Sequence, residues 1–239
     1  VYGIHTLKTH SKVALIVRRE KSKLVRYVHL ATGNYNPTTS RIYTDLGLLT
    51  SDEEIGAEVS NLFNFLTGYS LQTDYKCLLV APINMRQRFT RLIEREIANK
   101  AGGKEARIIV KVNSLTDVQL INDLYKASQA GVEVDLIVRG ICALRPGMKD
   151  VSENIRVRSI IGRFLEHSRI FYFANGGGGG EGGAEVYIGS ADWMQRNLDR
   201  RVEIIFPIKN ESIRQYLKET VLDTYLRDTT NARILRPDG

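Results

Sequence analysis

Two short stretches, far apart in the chain, read alike, and any fold has to accommodate both. His10-Ser11-Lys12 opens an apolar run over residues 13–18, and Gly33-Asn34-Tyr35-Asn36 begins 23 residues after His10. His167-Ser168-Arg169 opens a second run over residues 170–173, and Gly189-Ser190-Ala191-Asp192 begins 22 residues after His167. Each copy places a His-Ser-basic triplet at the head of a strand and a glycine-plus-small-polar corner at the end of a later one. A repeat of this kind predicts two related halves. Before His167 a long stretch of strand and helix pattern starts near Leu78, whereas nine residues precede His10. The first half is therefore expected to lack its opening elements, and the chain to be a fragment of a longer protein.

Strand alternation gives the repeat a chemical meaning, because residues two apart on a strand face the same side. His10 and Lys12 share a face, as do His167 and Arg169. A fixed cation beside an imidazole suits an anionic substrate: the cation holds oxygens while the imidazole attacks or moves a proton. Asn34, Asn36 and Ser190 can add neutral hydrogen bonds to the same oxygens. His5 and His29 lack this context and read as structural.

The remaining pattern is α/β. Residues 13–18 and 24–30 form a predicted hairpin around Glu20-Lys21-Ser22-Lys23. Ser51, three residues before Glu54, has capping-box spacing ahead of a helix with apolar positions Ile55, Val59, Leu62, Phe63 and Leu66. From Lys76 onward, predicted strands over 77–80, 107–112 and 132–138 alternate with helices over 85–100 and 116–130, the signature of parallel strands with helical crossovers. Further strands are expected over 155–160, 169–173, 185–188 and 201–208, with 169–173 and 185–188 paired. Asn210 is the predicted cap of a last helix with the stripe Ile213, Tyr216, Leu217, Val221 and Tyr225. Residues 176–183, seven glycines and Glu181, read as a mobile loop; no P-loop lysine or threonine and no clear helix follow, so a phosphate cradle is rejected there. The expected division is residues 1–77 and 78–239.

A net charge of +7 and a pI near 9.4 favour anionic partners without choosing among nucleotides, nucleic acid, acidic lipid and phosphate. Cys77 and Cys142 have no metal-ligand spacing and read as buried free thiols of a reducing compartment. No apolar run reaches the ~20 residues that span a bilayer, and no signal-peptide pattern is present.

Leu7-Lys8-Thr9-His10-Ser11-Lys12, Ala31-Thr32-Gly33-Asn34-Tyr35-Asn36, Arg41-Ile42-Tyr43-Thr44-Asp45-Leu46-Gly47 and Ile137-Val138-Arg139-Gly140-Ile141-Cys142 resemble the polyphosphate kinases. Phe164-Leu165-Glu166-His167-Ser168-Arg169 and Gly189-Ser190-Ala191-Asp192-Trp193-Met194 do so too, in order along nearly the whole chain. The resemblance implies an α/β fold of two phospholipase D-like halves, mixed sheets flanked by helices, with the first half truncated. It implies reversible transfer of the ATP γ-phosphate to inorganic polyphosphate through a phosphohistidine, by a cytoplasmic, homo-oligomeric full-length protein, with membrane association left open and nucleic acid not a partner. By motif position His10 matches the phosphorylated histidine and His167 the acid or base that also contacts nucleotide. Tyr43 and Arg139 match nucleotide-binding positions, and Lys12, Asn34, Arg169, Ser190 and Arg196 are the expected phosphate ligands. Mg²⁺ is the expected cofactor, with its ligands upstream of this chain; Asp45 and Asp192 read as isolated. The fragment alone is expected to be inactive or weakly active. Two other readings stay open: a phospholipase D-like phosphodiesterase, which prefers His-x-Lys in both halves where this chain has Arg169, and a non-catalytic polyanion-binding module.

Overall fold

The computed structural model describes residues 3–69, 74–178 and 182–239. In chain order the elements are β1 (Lys8–Thr9), β2 (Lys12–Glu20), β3 (Lys23–Ala31), β4 (Tyr43–Thr44), β5 (Gly47–Thr50), α1 (Glu53–Leu66), β6 (Leu79–Ala81), α2 (Met85–Ala101), β7 (Arg107–Val112) and α3 (Val118–Gln129). They continue with β8 (Glu133–Val138), β9 (Ile155–Ile160), β10 (Leu165–Glu166), β11 (Ile170–Phe173), β12 (Glu185–Gly189), α4 (Gln195–Arg200) and β13 (Arg201–Pro207). α5 (Glu211–Gln215) runs through a π-helical stretch, Tyr216–Leu222, into α6 (Asp223–Arg227), and β14 (Ala232–Leu235) closes the chain.

A nine-stranded mixed sheet takes the order β1-β13-β12-β11-β7-β8-β9-β14, with β6 also paired to β13. β7, β8 and β9 are parallel, as the strand-helix-strand pattern requires, and β11 and β12 are an antiparallel pair. Alternation along β7 sorts its side chains: Ile108, Val110 and Val112 pack with α2 and α3, while Ile109 belongs to the core that α1 closes from the other face. In that first core Phe89 meets Phe171 and Trp193 at centroid distances of 4.7 and 5.2 Å. Trp193, fully buried, anchors the segment that follows the second glycine corner in this core. Each such aromatic pair adds about 0.5–1.5 kcal/mol beyond area burial.

The first half contributes a separate three-stranded sheet, β2-β3-β5, and two short strands that cross to the second half: β1 pairs β13, and β4 pairs β10, both in parallel. β2 and β3 form the predicted hairpin, with Lys12 opposite Ala31.

Three local expectations are corrected. The cap of α1 is Asp52, whose carboxylate accepts from Ile55 N–H at 2.9 Å, rather than Ser51; a carboxylate at a helix N-terminus also meets the helix dipole favourably. The last helix keeps its Asn210 cap, but Ile213 and Tyr216 of the predicted stripe are 41% and 56% exposed, and Leu217 and Leu222 are the buried pair. Ile213 lies before the π-helical stretch and Tyr216 opens it, at the exposed start of the helix, while Leu217, Val221 and Tyr225 of the stripe do pack on the core. β14, unpredicted, is an edge strand against β9 whose half-exposed residues carry no apolar alternation. Within the glycine-rich stretch, Gly178 bridges Gly183, and the tip at 179–181 lies outside the described residues.

Candidate active site

The two His-Ser pairs are held in the same way, each by the opposite half. His10 and Ser11 N–H both donate to Val202 C=O, at 2.8 and 3.0 Å; His167 and Ser168 N–H both donate to Thr44 C=O, at 3.2 and 2.9 Å. The residue after each accepting carbonyl is an acid, and it takes the histidine's Nδ1: Glu203 Oε2 lies 2.8 Å from His10 Nδ1, and Asp45 Oδ1 lies 2.7 Å from His167 Nδ1. A hydroxyl orients each acid in turn. Ser190 Oγ donates to Glu203 at 2.5 Å, and Thr32 Oγ1 donates to Asp45 at 2.6 Å. Asn197 Nδ2 donates to the other Glu203 oxygen at 2.6 Å. The site thus has an approximate internal twofold symmetry in which neither histidine is complete without the other half.

Glycines permit this closeness. A Cβ on Gly33 would stand 2.5 Å from the Asp45 carboxyl, and one on Gly189 would run into the Ile204 and Ile205 backbone. Both corners therefore need glycine for space, the reason that type recurs at the end of β3 and of β12.

A carboxylate on Nδ1 fixes the tautomer: Nδ1 carries the proton and Nε2 the lone pair. For His10, whose side chain is 21% exposed, that leaves Nε2 as a neutral nucleophile. For His167, 8% exposed, Nε2 accepts from Arg169 Nη1 at 3.2 Å. Burial pushes the His167 imidazolium down, Asp45 resists, and Arg169 pushes it further down. Burial alone would raise the Asp45 carboxyl, but hydrogen bonds from His167 and Thr32 outweigh it and hold it below the usual carboxylate range. At neutral pH His167 is therefore a neutral imidazole donating to a charged carboxylate.

The cations lie beneath the imidazoles. Lys12, 4% exposed, donates to His10 C=O at 2.5 Å, and burial lowers its ammonium to about 8, with Glu203 pulling upward and Arg169 downward. Its field also reaches Asp45 and His167, so the two histidine clusters form one electrostatic unit. Arg169 grips Asp192 with two donors, at 3.2 and 3.1 Å, and donates to His167 C=O at 2.7 Å. Asp192 also accepts from Asn113 N–H at 2.7 Å. Half-buried Arg139, at the C-terminal end of β8, donates to Glu166 C=O at 2.8 Å and sits in the field of Arg169, Asp192, Tyr43 and Asp45. The Tyr43 ring leans on His167 with centroids 4.8 Å apart.

The expected residues thus separate by position. His10, His167, Lys12, Arg169, Tyr43 and Arg139 converge. Ser190 is fully buried with its hydroxyl committed to Glu203, which makes it an orienting group in this arrangement rather than an open phosphate ligand. Asn34 and Arg196 are exposed, at the first corner and on α4. The Asn36 amide oxygen accepts from Thr38 and Thr39 N–H and caps its own turn. Asp45 and Asp192 are not isolated. Glu203, Thr32 and Lys111 were not read from the sequence at all, although a signal for two of them exists: Thr32 to Asp45 and Ser190 to Glu203 are both 13 residues, so the repeat extends to the acids.

Asp45, Asp192 and Glu203 are each taken by a cation, an imidazole or a hydroxyl, and the described residues contain no group of three or more His, Cys, Asp or Glu able to hold a metal ion. These residues do not fit a Mg²⁺ site. No helix among the described residues is long and apolar enough to cross a membrane.

The profile of "Polyphosphate kinase C-terminal domain 1" matches residues 1–72, and that of "Polyphosphate kinase C-terminal domain 2" matches residues 78–239. The chain is 58% identical over its whole length to polyphosphate kinase of Synechocystis sp. and 52% identical to that of Pseudomonas aeruginosa. It spans 32% and 34% of those two proteins. The crystal structure of polyphosphate kinase from Porphyromonas gingivalis superposes on all of this chain, over 36% of its own, with a TM-score of 0.91 at 43% identity. The α/β fold expected from the sequence, with mixed sheets flanked by helices, is the fold observed, and it is shared with that polyphosphate kinase. Mirrored histidines, matching profiles and a shared fold agree: the chain belongs to the polyphosphate kinase family.

Proposed function

We propose that this chain carries the phosphoryl-transfer site of a cytoplasmic, homo-oligomeric polyphosphate kinase, which moves the γ-phosphate of ATP to the end of a polyphosphate chain by way of His10. The observation that carries this reading is the Nδ1–Glu203 hydrogen bond of His10, which leaves Nε2 as a lone pair in a site that also holds Lys12, whose ammonium donates to the His10 carbonyl. His10 Nε2 attacks the γ-phosphorus; the N–P bond forms as the bond to the bridging oxygen breaks, and ADP leaves with the electron pair. The imidazole then holds a phosphoryl group on Nε2 and its original proton on Nδ1, a cationic ring that Glu203 neutralises. A terminal polyphosphate oxygen attacks the same phosphorus, the N–P bond breaks, and neutral His10 returns. No net proton is consumed, and the step is reversible. Splitting the transfer lets one site serve donor and acceptor in turn.

His167, whose Nδ1 proton is held by Asp45 and whose Nε2 lone pair faces Arg169, serves as a base that accepts a proton or hydrogen bond at Nε2, and it acts as an acid toward phosphate only after Nε2 has been protonated. Tyr43 against the His167 ring and Arg139 beside it supply an aromatic face and a cation for the nucleotide. Exposed Asn34 and Arg196 extend the phosphate-binding surface. No step is routed through Mg²⁺ held by this chain.

The test uses full-length enzyme and γ-labelled ATP. Acid-labile, base-stable label on wild type and its loss in His10→Ala support the reading; label retained in His10→Ala, or hydrolysis of a diester in place of transfer, refutes it. His167→Ala should slow transfer without lowering the melting temperature.

A further inference from the structure

Lys111 is a buried cation that the transfer chemistry above leaves unused. It lies on the face of β7 away from α2 and α3, and it is 2% exposed. All three protons of its ammonium are spoken for: Glu166 Oε2 at 3.1 Å, Ser168 C=O at 3.1 Å and Ser168 Oγ at 2.9 Å. Those acceptors flank His167 on both sides.

Glu166 is itself crowded with donors. The Tyr225 hydroxyl of α6 donates to the same Oε2 at 2.6 Å, and Thr44 Oγ1 of the first half does so at 3.2 Å. The Tyr225 ring also lies 5.1 Å beneath the Lys111 ammonium. Burial pushes that ammonium below its usual range while Glu166 pulls it back up.

The consequence is a clamp on three consecutive residues. Glu166 C=O accepts from Arg139, His167 C=O from Arg169 and Asn113, and Ser168 C=O from Lys111. Among the described residues, this clamp holds the segment around His167.

We infer that Lys111, Glu166 and Tyr225 form a positioning cluster that sets the His167 imidazole against the reacting phosphate and ties the C-terminal helix to catalysis through one hydroxyl. This inference rests on the proposed kinase function. None of the three touches the reacting atoms; they act through the backbone of residues 166–168. A shift of an ångström in a catalytic group costs up to about a hundred-fold in rate, so loosening one of several ties should cost about ten-fold.

The test is a cycle in the full-length enzyme. Tyr225→Phe removes one hydroxyl, and the double variant Lys111→Met with Glu166→Gln removes the ion pair without stranding a charge. Each is measured alone and in a His167→Ala background, for kcat, KM for ATP and melting temperature. Tyr225→Phe should lower kcat about ten-fold, leave KM within about two-fold, and cause no further loss once His167 is absent. An equal loss in both backgrounds, or none in either, overturns the cluster's role. If the double variant does not fold, the Tyr225→Phe cycle decides alone. The unsubstituted enzyme separates this inference from its basis: no polyphosphate synthesis there overturns the function and the cluster with it, whereas normal synthesis with additive losses overturns only the cluster.

Discussion

Glu203→Gln probes how the acid behind His10 works, because the side chain keeps its shape while it loses its charge and exchanges one acceptor oxygen for a donor. Glu203 is completely buried and accepts from His10 Nδ1, Ser190 Oγ and Asn197 Nδ2. With three donors aimed at its two oxygens, an amide must turn its NH₂ toward at least one of them. If the NH₂ faces Asn197, a donor-donor clash loosens the whole corner. If it faces His10, the ring is pushed to the other tautomer, with the proton on Nε2 and no lone pair for attack. The charge also matters later, when the phosphorylated ring is cationic: two unit charges ~4 Å apart at an effective dielectric constant of ~20 interact by about 4 kcal/mol. Allowing for the dipole that glutamine keeps, about 2–3 kcal/mol should be lost from the intermediate and the transition state leading to it, roughly a 30- to 150-fold slower transfer. Rapid-quench labelling of the full-length variant with γ-labelled ATP reads this directly, with circular dichroism to check the fold. Label appearing within three-fold of the wild-type rate would refute the tautomer and charge argument together.

Three further outcomes are expected. Lys12 has its ammonium lowered to about 8 from 10.5, so between those values the unfolded chain binds more protons than the folded one, and stability should rise as pH increases through that window. Lys12→Met should flatten the rise in urea midpoint measured from pH 7.5 to 10, and an unchanged slope would contradict the buried charge. Gly189→Ala places a Cβ into the Ile204 and Ile205 backbone and should cost about 2–3 kcal/mol, read as a reduced urea midpoint; a neutral result would mean that the corner can move. Cys142 is partly exposed, not buried as the sequence suggested, but burial raises the Cys77 thiol to about 12, so Cys77 should not react with an aromatic disulfide reagent at pH 8 until the protein unfolds. Rapid labelling of Cys77 in the native protein would exclude the burial described.

Legibility in the sequence followed local signal strength. β7, α2, α3, β8 and β9 were readable because each buries one face or both, which writes a period of 3.6 or an unbroken apolar run into the residues. β14 was not, since a half-exposed edge strand of four residues needs no such run. Nor were β4 and β10: two residues each, they exist because the halves meet there, and no propensity encodes a partner more than a hundred residues away.

The sequence by itself determined which residue types recur, and so the two His-Ser triplets, their cations, the glycine corners and the α/β class. Tertiary structure alone decided what each histidine does. Asp45 looked isolated and Glu203 passed unread, because a hydrogen bond across 122 or 193 residues leaves no mark on either neighbourhood. It also sent the Ser190 hydroxyl and the Arg169 guanidinium inward. A buried carboxylate must be satisfied by the nearest donors, whatever the strand pattern proposes for them.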